Sequence, residues 1–521
     1  MSENLRDKGN QSVFINCTLS EAIDAFGFGS YQLLLAVCLG ITIFSFAVEI
    51  TSLIIIQPLL ECGWEVSEVQ NGYILTNIAT IMAIALAAPV WGYASDRFGR
   101  RPVIMISVFV QIILIISITL VPDNVWFLML RIFFGCSLAS FPIFYVLLAE
   151  YNPSTSRGQS AMFLQIFWIG GGILTMLLSW SIVKVPWSWR LVAMVGVSPL
   201  ILFIALSYWL PESVLYLSKM GKEDELGYQI NSVASFNGKL DILDQMEINN
   251  ILTDEDNEHD PCLELFQLIL GPENLCNSLI IWSLWFLNGI AYYGAIFATP
   301  AINDWLSSCY NHQEDEIKML HIETVESELC SLIDSKEYEH FVWNSLAEFP
   351  AIIIGAFAID FLGRRKTYLI CTGIYAVSLS PLIIRHCLMD TTSPFVFLFI
   401  ARGAGMAWFS NNIVFSLENY STKTRCTGLG IGFFIMQLGA VFALSIKSFL
   451  IPYSVTIFIF VYFVASVLGF LLGMYLPKET TRADLSYVGE VMMDEIEPIL
   501  IHNGQSDSIE IERKLQPRKA S

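Results

Sequence analysis

The sequence predicts an all-α membrane protein, with twelve transmembrane helices arranged as two six-helix bundles. Three observations carry that prediction. Apolar residues make up 55% of the chain and charged residues 15%, against roughly a quarter charged in an ordinary soluble protein. The apolar runs, among them IMAIALAAPVW, VIMISVFVQIILIISITL and VTIFIFVYFVASVLGFLLGMYL, belong to stretches near the ~20 residues that cross a hydrocarbon core. One charged phrase is also written twice, GYASDRFGRRP at 92–102 and AIDFLGRRK at 358–366. In lipid every backbone polar group must be satisfied within the segment, so stretches of this length are helices.

Taken in order, residues 1–31 are polar and mixed in charge, and read as a cytoplasmic segment. No cleavable signal peptide is visible, so the first spanning helix is expected to act as its own insertion signal. Helices one to six are expected near 32–58, 69–92, 102–121, 125–150, 158–183 and 190–210, forming a first bundle over 32–210. A polar central loop, 211–275, carries the run TDEDNEHD at 253–260. Helices seven to twelve are expected near 276–300, 340–361, 367–388, 394–418, 427–449 and 453–476, a second bundle over 276–476 with a polar insertion at 301–339. A polar tail fills 477–521. Lysines and arginines concentrate on the segments that share one side, apart from Arg131 and Arg402 inside helices. Both termini are therefore expected in the cytoplasm, and 301–339 outside the cell or in a vesicle lumen.

The formal charge of −20 comes mainly from acidic loops and the tail. It argues against nucleic acid as a partner and against a broad basic surface for anionic lipid. No CxxC or His/Cys cluster points to a metal, and no GxxxxGK[ST] points to ATP as the drive. Neither a cofactor nor an enzymatic activity is expected, and the chain reads as a monomer in the bilayer.

The second half repeats the first. Asp96, Gly99, Arg100 and Arg101 correspond to Asp360, Gly363, Arg364 and Arg365, and Arg131 corresponds to Arg402. Glu150 and Arg157 are seven apart, as are Glu418 and Arg425; LPES at 210–213 closes helix six as LPKET at 476–480 closes helix twelve. Two parallel copies of a six-helix unit suit a carrier that rocks its halves about a site near the midplane. D-R-F-G-R-R at 96–101 resembles the signature loop of the major facilitator superfamily, and Arg131 followed by Gly135 resembles its helix-four motif. AFGFGSYQ at 25–32, LAEYNP at 148–153, IWSLWFLNGIAYYG at 281–294 and CSLIDSKEYEHFVWNSLAEFP at 330–350 resemble the synaptic vesicle 2-related branch. The resemblance implies that superfamily's fold and alternating-access transport of a small solute.

Two readings exist for the repeated charges. Arg97, Arg100, Arg101, Arg157, Arg364, Arg365 and Arg425 are topology anchors, or they pair with Asp96, Glu150, Asp360 and Glu418 at helix ends, where a cation is favoured. The pairs would form when the cytoplasmic side shuts. The gating reading is preferred because charges and spacing recur in both halves, with Gly92 and Gly99 permitting close helix approach and a tight turn. Against the branch's usual pattern, Leu215 stands where a gating arginine is expected and FSLE at 415–418 replaces YTPE, so helix ten should bend differently.

A charged side chain at bilayer depth costs at least ~2.5–3.5 kcal/mol, so each one asks for a role. Glu49 in helix one is expected to bind substrate or a proton, although the resemblance places a second acid where Phe46 stands. Glu348 in helix eight reads either as a proton-coupling group or as the partner of a helix-four or helix-ten arginine. Arg131 and Arg402 steer protons or tie helices together. In helix seven, Trp285, Asn288 and Tyr292 share one face, suited to a cationic or ring-bearing ligand or to plain packing. Asn411, between Ser410 and Asn412, is a further cavity candidate, and Gly170-Gly171-Gly172 is read as a close helix contact.

Cys309 and Cys330 fall in the 301–339 insertion, an oxidising setting if it faces outward. A 309–330 disulfide, a bridge to Cys62, or free thiols are the alternatives. The glycosylation triplets at Asn10, Asn16 and Asn419 fall on the cytoplasmic side, so no N-glycan is expected, and EIEPIL at 495–500 resembles a sorting signal. The functional expectation is a secondary active transporter of a small organic solute, an organic cation first and an organic anion second, driven by an ion gradient, with protons as the coupling ion. The alternative is a transporter-like vesicle protein that binds a ligand or partner without moving solute. The membrane of residence is an intracellular vesicle or the plasma membrane.

Overall fold

The computed structural model describes residues 15–63, 72–182, 188–243, 246–248, 272–314, 335–384, 393–450 and 454–476. Helix one is Ser30–Gly63, helix two Gly72–Phe98, helix three Arg100–Thr119, and helix five Arg157–Ile182. Helix seven is Pro272–Glu314, helix nine Arg364–Ile384, helix ten Ser393–Asn419, helix eleven Arg425–Leu450 and helix twelve Val455–Gly473. Helices four, six and eight are each broken in two, as Asn124–Leu138 with Phe141–Tyr151, Ser188–Met194 with Val197–Leu206, and Ser335–Leu346 with Glu348–Phe361. Among the described residues, 11 helices are long and apolar enough to cross a membrane. Helix ten is the twelfth; its 27 residues carry Arg402, Asn411, Asn412 and Glu418, which lower its hydropathy.

All three breaks have the same cause. Proline has no N–H and its ring clashes with the carbonyl four residues back. Pro142 follows the break at Ala139–Ser140, Pro199 the break at Val195–Gly196, and Pro350 the break at Ala347. The break in helix eight begins a new segment at Glu348. Helix ten, with FSLE at 415–418, runs without interruption.

The two bundles meet along helix two against helix eleven and along helix five against helix eight. Glycine makes the first of these close. A Cβ on Gly92 would lie 2.4 Å from the Cys426 carbonyl oxygen, and one on Gly430 2.6 Å from that of Ala88. Inside the first bundle Gly171 performs the same service, its virtual Cβ 2.3 Å from the Phe44 carbonyl oxygen, so helices one and five touch backbone to backbone. Gly99 and Gly363 turn the chain into helices three and nine with φ of 100° and 91°, a region that L side chains avoid.

Three expected loops hold more structure than their composition suggests. Residues 15–17 and 246–248 form a short parallel two-stranded ribbon, joining the N-terminal segment to the central loop. A helix at Leu19–Phe26 starts with a Thr18–Glu21 capping box. Further helices occupy Val214–Lys219, Glu223–Phe236 and Leu240–Leu243 in the central loop. Asp24 accepts hydrogen bonds from the Ser154 backbone and hydroxyl at 2.7 and 2.8 Å, and Asn237 accepts from the Tyr31 backbone at 3.1 Å. The N-terminal helix and the central loop thus grip the end of the first bundle where helix four finishes. The insertion after helix seven is shorter than 301–339, because helix seven continues to Glu314 and helix eight begins at Ser335. The Cys309, Cys330 and Cys62 thiols lie outside the described residues.

Replacing Gly171 by leucine is expected to lower the thermal unfolding midpoint of the detergent-solubilised protein, since overpacking costs ~1–3 kcal/mol. Gly170→Leu is the control, because its nearest neighbour is the Phe44 ring at an ordinary 3.5 Å. Equal midpoints for the two variants would contradict the close contact.

Candidate functional site

The repeated charges assemble into two interlocked clusters at the end of the bundles where helices two and eight finish. Arg100, 1% exposed, opens helix three. Its guanidinium lies 3.2 Å from Glu150 and 3.3 Å from Asp96, and it donates to the carbonyl of Thr422 at 3.1 Å. Glu150 in turn takes Arg425 of helix eleven at 2.8 Å. Asp96 accepts from the Cys426 backbone at 3.3 Å and from the Thr427 backbone and hydroxyl at 2.8 Å each. A carboxylate at the first free N–H groups of a helix satisfies donors that have no other partner and meets the positive end of the dipole. Helices two, three and four of one bundle are therefore bound to helix eleven and its preceding loop in the other.

The second cluster repeats the plan. Arg364 holds Glu418 with two bonds, 2.8 and 3.0 Å, the geometry in which a guanidinium binds a carboxylate best. It also reaches Asp360 at 3.1 Å. Asp360 abuts the start of helix five, since a Cβ on Gly158 would lie 2.8 Å from its carboxylate. Arg157, buried at that same start, sits in the field of Glu418 as Arg425 sits against Glu150. Three arginines of the expected gate stay outside these cores. Among the described residues Arg97 reaches Tyr93 and the Phe98 ring, Arg365 turns to the Met474 carbonyl, and Arg101 is exposed, joined to Glu212 through its backbone N–H.

Glu212 and Tyr216 belong to the latch although sequence reasoning assigned them no role. Glu212 accepts from the backbone N–H of Arg100 at 2.8 Å and of Arg101 at 3.2 Å, capping helix three where Gly99 has no side chain to do so. Burial holds its carboxyl above the usual carboxylate range. The Tyr216 ring lies 5.2 Å from the Arg100 guanidinium, and its hydroxyl donates to the Arg97 carbonyl at 3.0 Å. Leu215 is buried in the apolar core, so the position offers no cation to the latch. The LPES repeat was the available signal, but only the folded loop shows which backbone groups Glu212 reaches.

Beyond the latch lies a cavity of about 50 Å³, lined among others by Trp168, Tyr292, Tyr293, Asn344, Glu348 and Arg402. Arg402 Nε is 2.5 Å from Glu348 Oε1, its guanidinium stands 4.9 Å from the Tyr292 ring centre, and the Tyr292 hydroxyl donates to the same oxygen at 3.3 Å. Space for a water or two is all that remains. Aromatic rings fill the layer between cavity and latch. Phe141 of the first bundle meets Phe433 at 5.6 Å and Phe409 at 6.5 Å across the interface, and Trp168 at 5.5 Å beside it.

Of the expected substrate and proton residues, Glu348 and Tyr292 reach the cavity and four do not. Glu49 points into the first bundle, 3.4 Å from Arg131, whose guanidinium lies between the Phe127 and Phe134 rings. Trp285 donates to the Ser416 hydroxyl at 2.9 Å, and Asn411 donates to the Arg364 carbonyl at 2.8 Å, which ties it to the latch. Asn288 is fully buried, and neither amide atom is hydrogen-bonded among the described residues. The face shared by 285, 288 and 292 is real, but it is packed against helices ten and eleven, and only its outer end opens on the cavity. Ser410 and Asn412 likewise bond to backbone carbonyls at 2.9 and 3.4 Å.

The chain matches the model of the Major Facilitator Superfamily over residues 37–307 and 340–490. It belongs to that superfamily. It is 29% identical over 463 residues to the synaptic vesicle 2-related protein of Xenopus laevis, covering 89% of this chain and 81% of the relative. It is 27% identical over 455 residues to organic cation/carnitine transporter 7 of Arabidopsis thaliana, covering 81% and 86%. Among solved structures it superimposes on the proton:xylose symporter XylE of E. coli with a TM-score of 0.64, at 16% identity, over 89% of this chain and 98% of that one. That likeness confirms the twelve-helix fold, and with the family match it makes the chain a multi-pass membrane transporter of this superfamily.

Glu150→Gln leaves Arg100 and Arg425 buried with their shared counter-ion gone, a loss of ~3–5 kcal/mol in such settings. Cys426, fully buried beside Asp96, is then expected to react with a membrane-permeant maleimide at least about tenfold faster, measured by peptide mapping. An unchanged rate would show that Glu150 does not hold the bundles together.

Proposed function

We propose that this protein is a secondary active carrier that moves a small organic solute by alternating access. The carrying observation is the pair of buried charge clusters that cross the bundle interface on one side of a closed cavity. Buried ions hold an interface firmly while they are paired and strongly resist being left alone. An interface stitched by two such clusters therefore has one tight shut state, which can open only when the halves move as bodies. The inner end is the cytoplasmic one by the distribution of lysine and arginine, which puts both termini in the cytoplasm. The relatives' name supports a vesicle membrane.

The cavity suits a solute that carries a cationic group, because Trp168 and Tyr293 line it beside the Glu348–Arg402 pair. The plant relative, named for organic cations and carnitine, supports the same class. Protons are the coupling ion in this reading, and Glu49 is their site. It is buried in the first bundle away from the cavity, with one carboxylate oxygen lacking a hydrogen-bond partner among the described residues. An arginine neighbour keeps it ionised in one state, and a proton can replace that arginine in the other. Solute and proton would then bind in different halves, coupled through the rocking.

Purified protein in liposomes under an imposed pH gradient, offered labelled organic cations and anions, tests this reading. Gradient-dependent uptake that falls at least about tenfold in Glu49→Gln is the expected result. Uptake indifferent to the variant would take Glu49 out of the coupling. Ligand binding with no flux for any solute would instead establish the non-transporting alternative.

A further inference from the structure

Glu348 and Arg402 both line the cavity, and they are in contact with each other, 2.5 Å from Nε to Oε1. Their side chains are 2% and 12% exposed, so both charges are largely withdrawn from bulk water. Tyr292 braces both, its ring beneath the guanidinium and its hydroxyl on the carboxylate. This pair limits what can enter. A ligand with only a positive charge reaches Glu348 by taking it from Arg402, and leaves the guanidinium buried without a counter-ion, which is the strongly unfavourable case. A ligand with only a negative charge does the same to Glu348. A ligand that carries both charges exchanges one ion pair for two. Its cation meets Glu348, its carboxylate meets the donor fork of Arg402, and no buried charge is orphaned.

Resting on the carrier reading and narrowing its organic cation, we propose that the cavity selects zwitterionic solutes, small molecules bearing a cationic group and a carboxylate. The rest of the lining fits that class. Trp168 and Tyr293 add aromatic rings to the lining, the side chains that suit a substituted ammonium. Asn344 and Ser345 add uncharged polar groups without disturbing the charge balance. The cavity is charge-neutral when empty and neutral again when filled, so loading adds no net charge to the membrane interior. The present volume, about 50 Å³, is that of a site closed on its own ion pair. Separation of Glu348 from Arg402 makes the room, and only a ligand with both charges compensates it.

Binding to the purified full-length protein tests the proposal, read as displacement of the thermal unfolding curve. The probes are ω-trimethylammonium carboxylates of increasing methylene spacing, their methyl esters, which keep only the cation, and the matching alkyl carboxylates, which keep only the anion. At least one zwitterion is expected to bind at least about 30-fold more tightly than its ester and its carboxylate counterpart. The double variant Glu348→Gln/Arg402→Gln, which removes both charges together and orphans neither, should lose that discrimination. Esters that bind as tightly as the zwitterions would overturn the proposal, as would a series in which no zwitterion binds. Liposome uptake separates this from the carrier reading. Zwitterion binding without flux keeps the ligand assignment and removes the carrier, whereas gradient-driven uptake of an ester equal to that of its zwitterion keeps the carrier and removes the assignment.

Discussion

A charged side chain that cannot reach water must be paired, and most of what is distinctive in this molecule follows from that constraint. Arg100, Arg131, Arg364 and Arg425 are all 1% exposed or less. Each has a carboxylate within 3.4 Å. At bilayer depth an arginine without such a partner is costly enough to be rare. The fold therefore has to bring acids from other helices to these positions, and the helix-end glycines and close backbone contacts are arranged so that it can. Gly99 and Gly363 turn the chain so that Arg100 and Arg364 point inward, and Gly92 lets helix eleven approach until Asp96 reaches its first N–H groups.

The same constraint divides the charges by task. Glu150 faces Arg100 of its own bundle and Arg425 of the other, so it belongs to the moving interface. Glu49 and Arg131 lie within one bundle, 3.4 Å apart and away from the bundle interface. Glu348 and Arg402 also belong to one bundle, but they open on the cavity and are the pair that a ligand can meet. Between the cavity and the latch, Phe141, Phe409 and Phe433 form an apolar layer that keeps the two polar regions apart.

The architecture was largely legible in the sequence because its signals are local or repeated. Apolar length marked the helices, and two copies of one charged phrase marked the duplicated bundles and the latch acids. The identity of the cavity residues was less accessible, because it depends on helix rotation and on partners remote in sequence. Asn411 looked like a lining residue, yet its amide bonds to the Arg364 backbone. Glu49 of helix one is paired with Arg131 of helix four, a pairing that no spacing encodes. Glu348 had been left between two arginines, and the break that starts its helix segment presents it to Arg402. Composition hid the central loop's contribution, since a polar stretch read as linker supplies Glu212 to the start of helix three.

The central claim is that the two charge clusters hold one end of the bundle interface shut. Spin labels at Thr155 and Lys366, exposed residues near the starts of helices five and nine in opposite bundles, report that separation directly by pulsed electron–electron resonance in liposomes. A single short-distance population in the otherwise unaltered protein is predicted. A longer population should grow at its expense when Glu150 and Glu418 are both changed to glutamine. An identical distance distribution with and without the two carboxylates would contradict the claim, and would reduce the repeated arginines to anchors that set topology and nothing more.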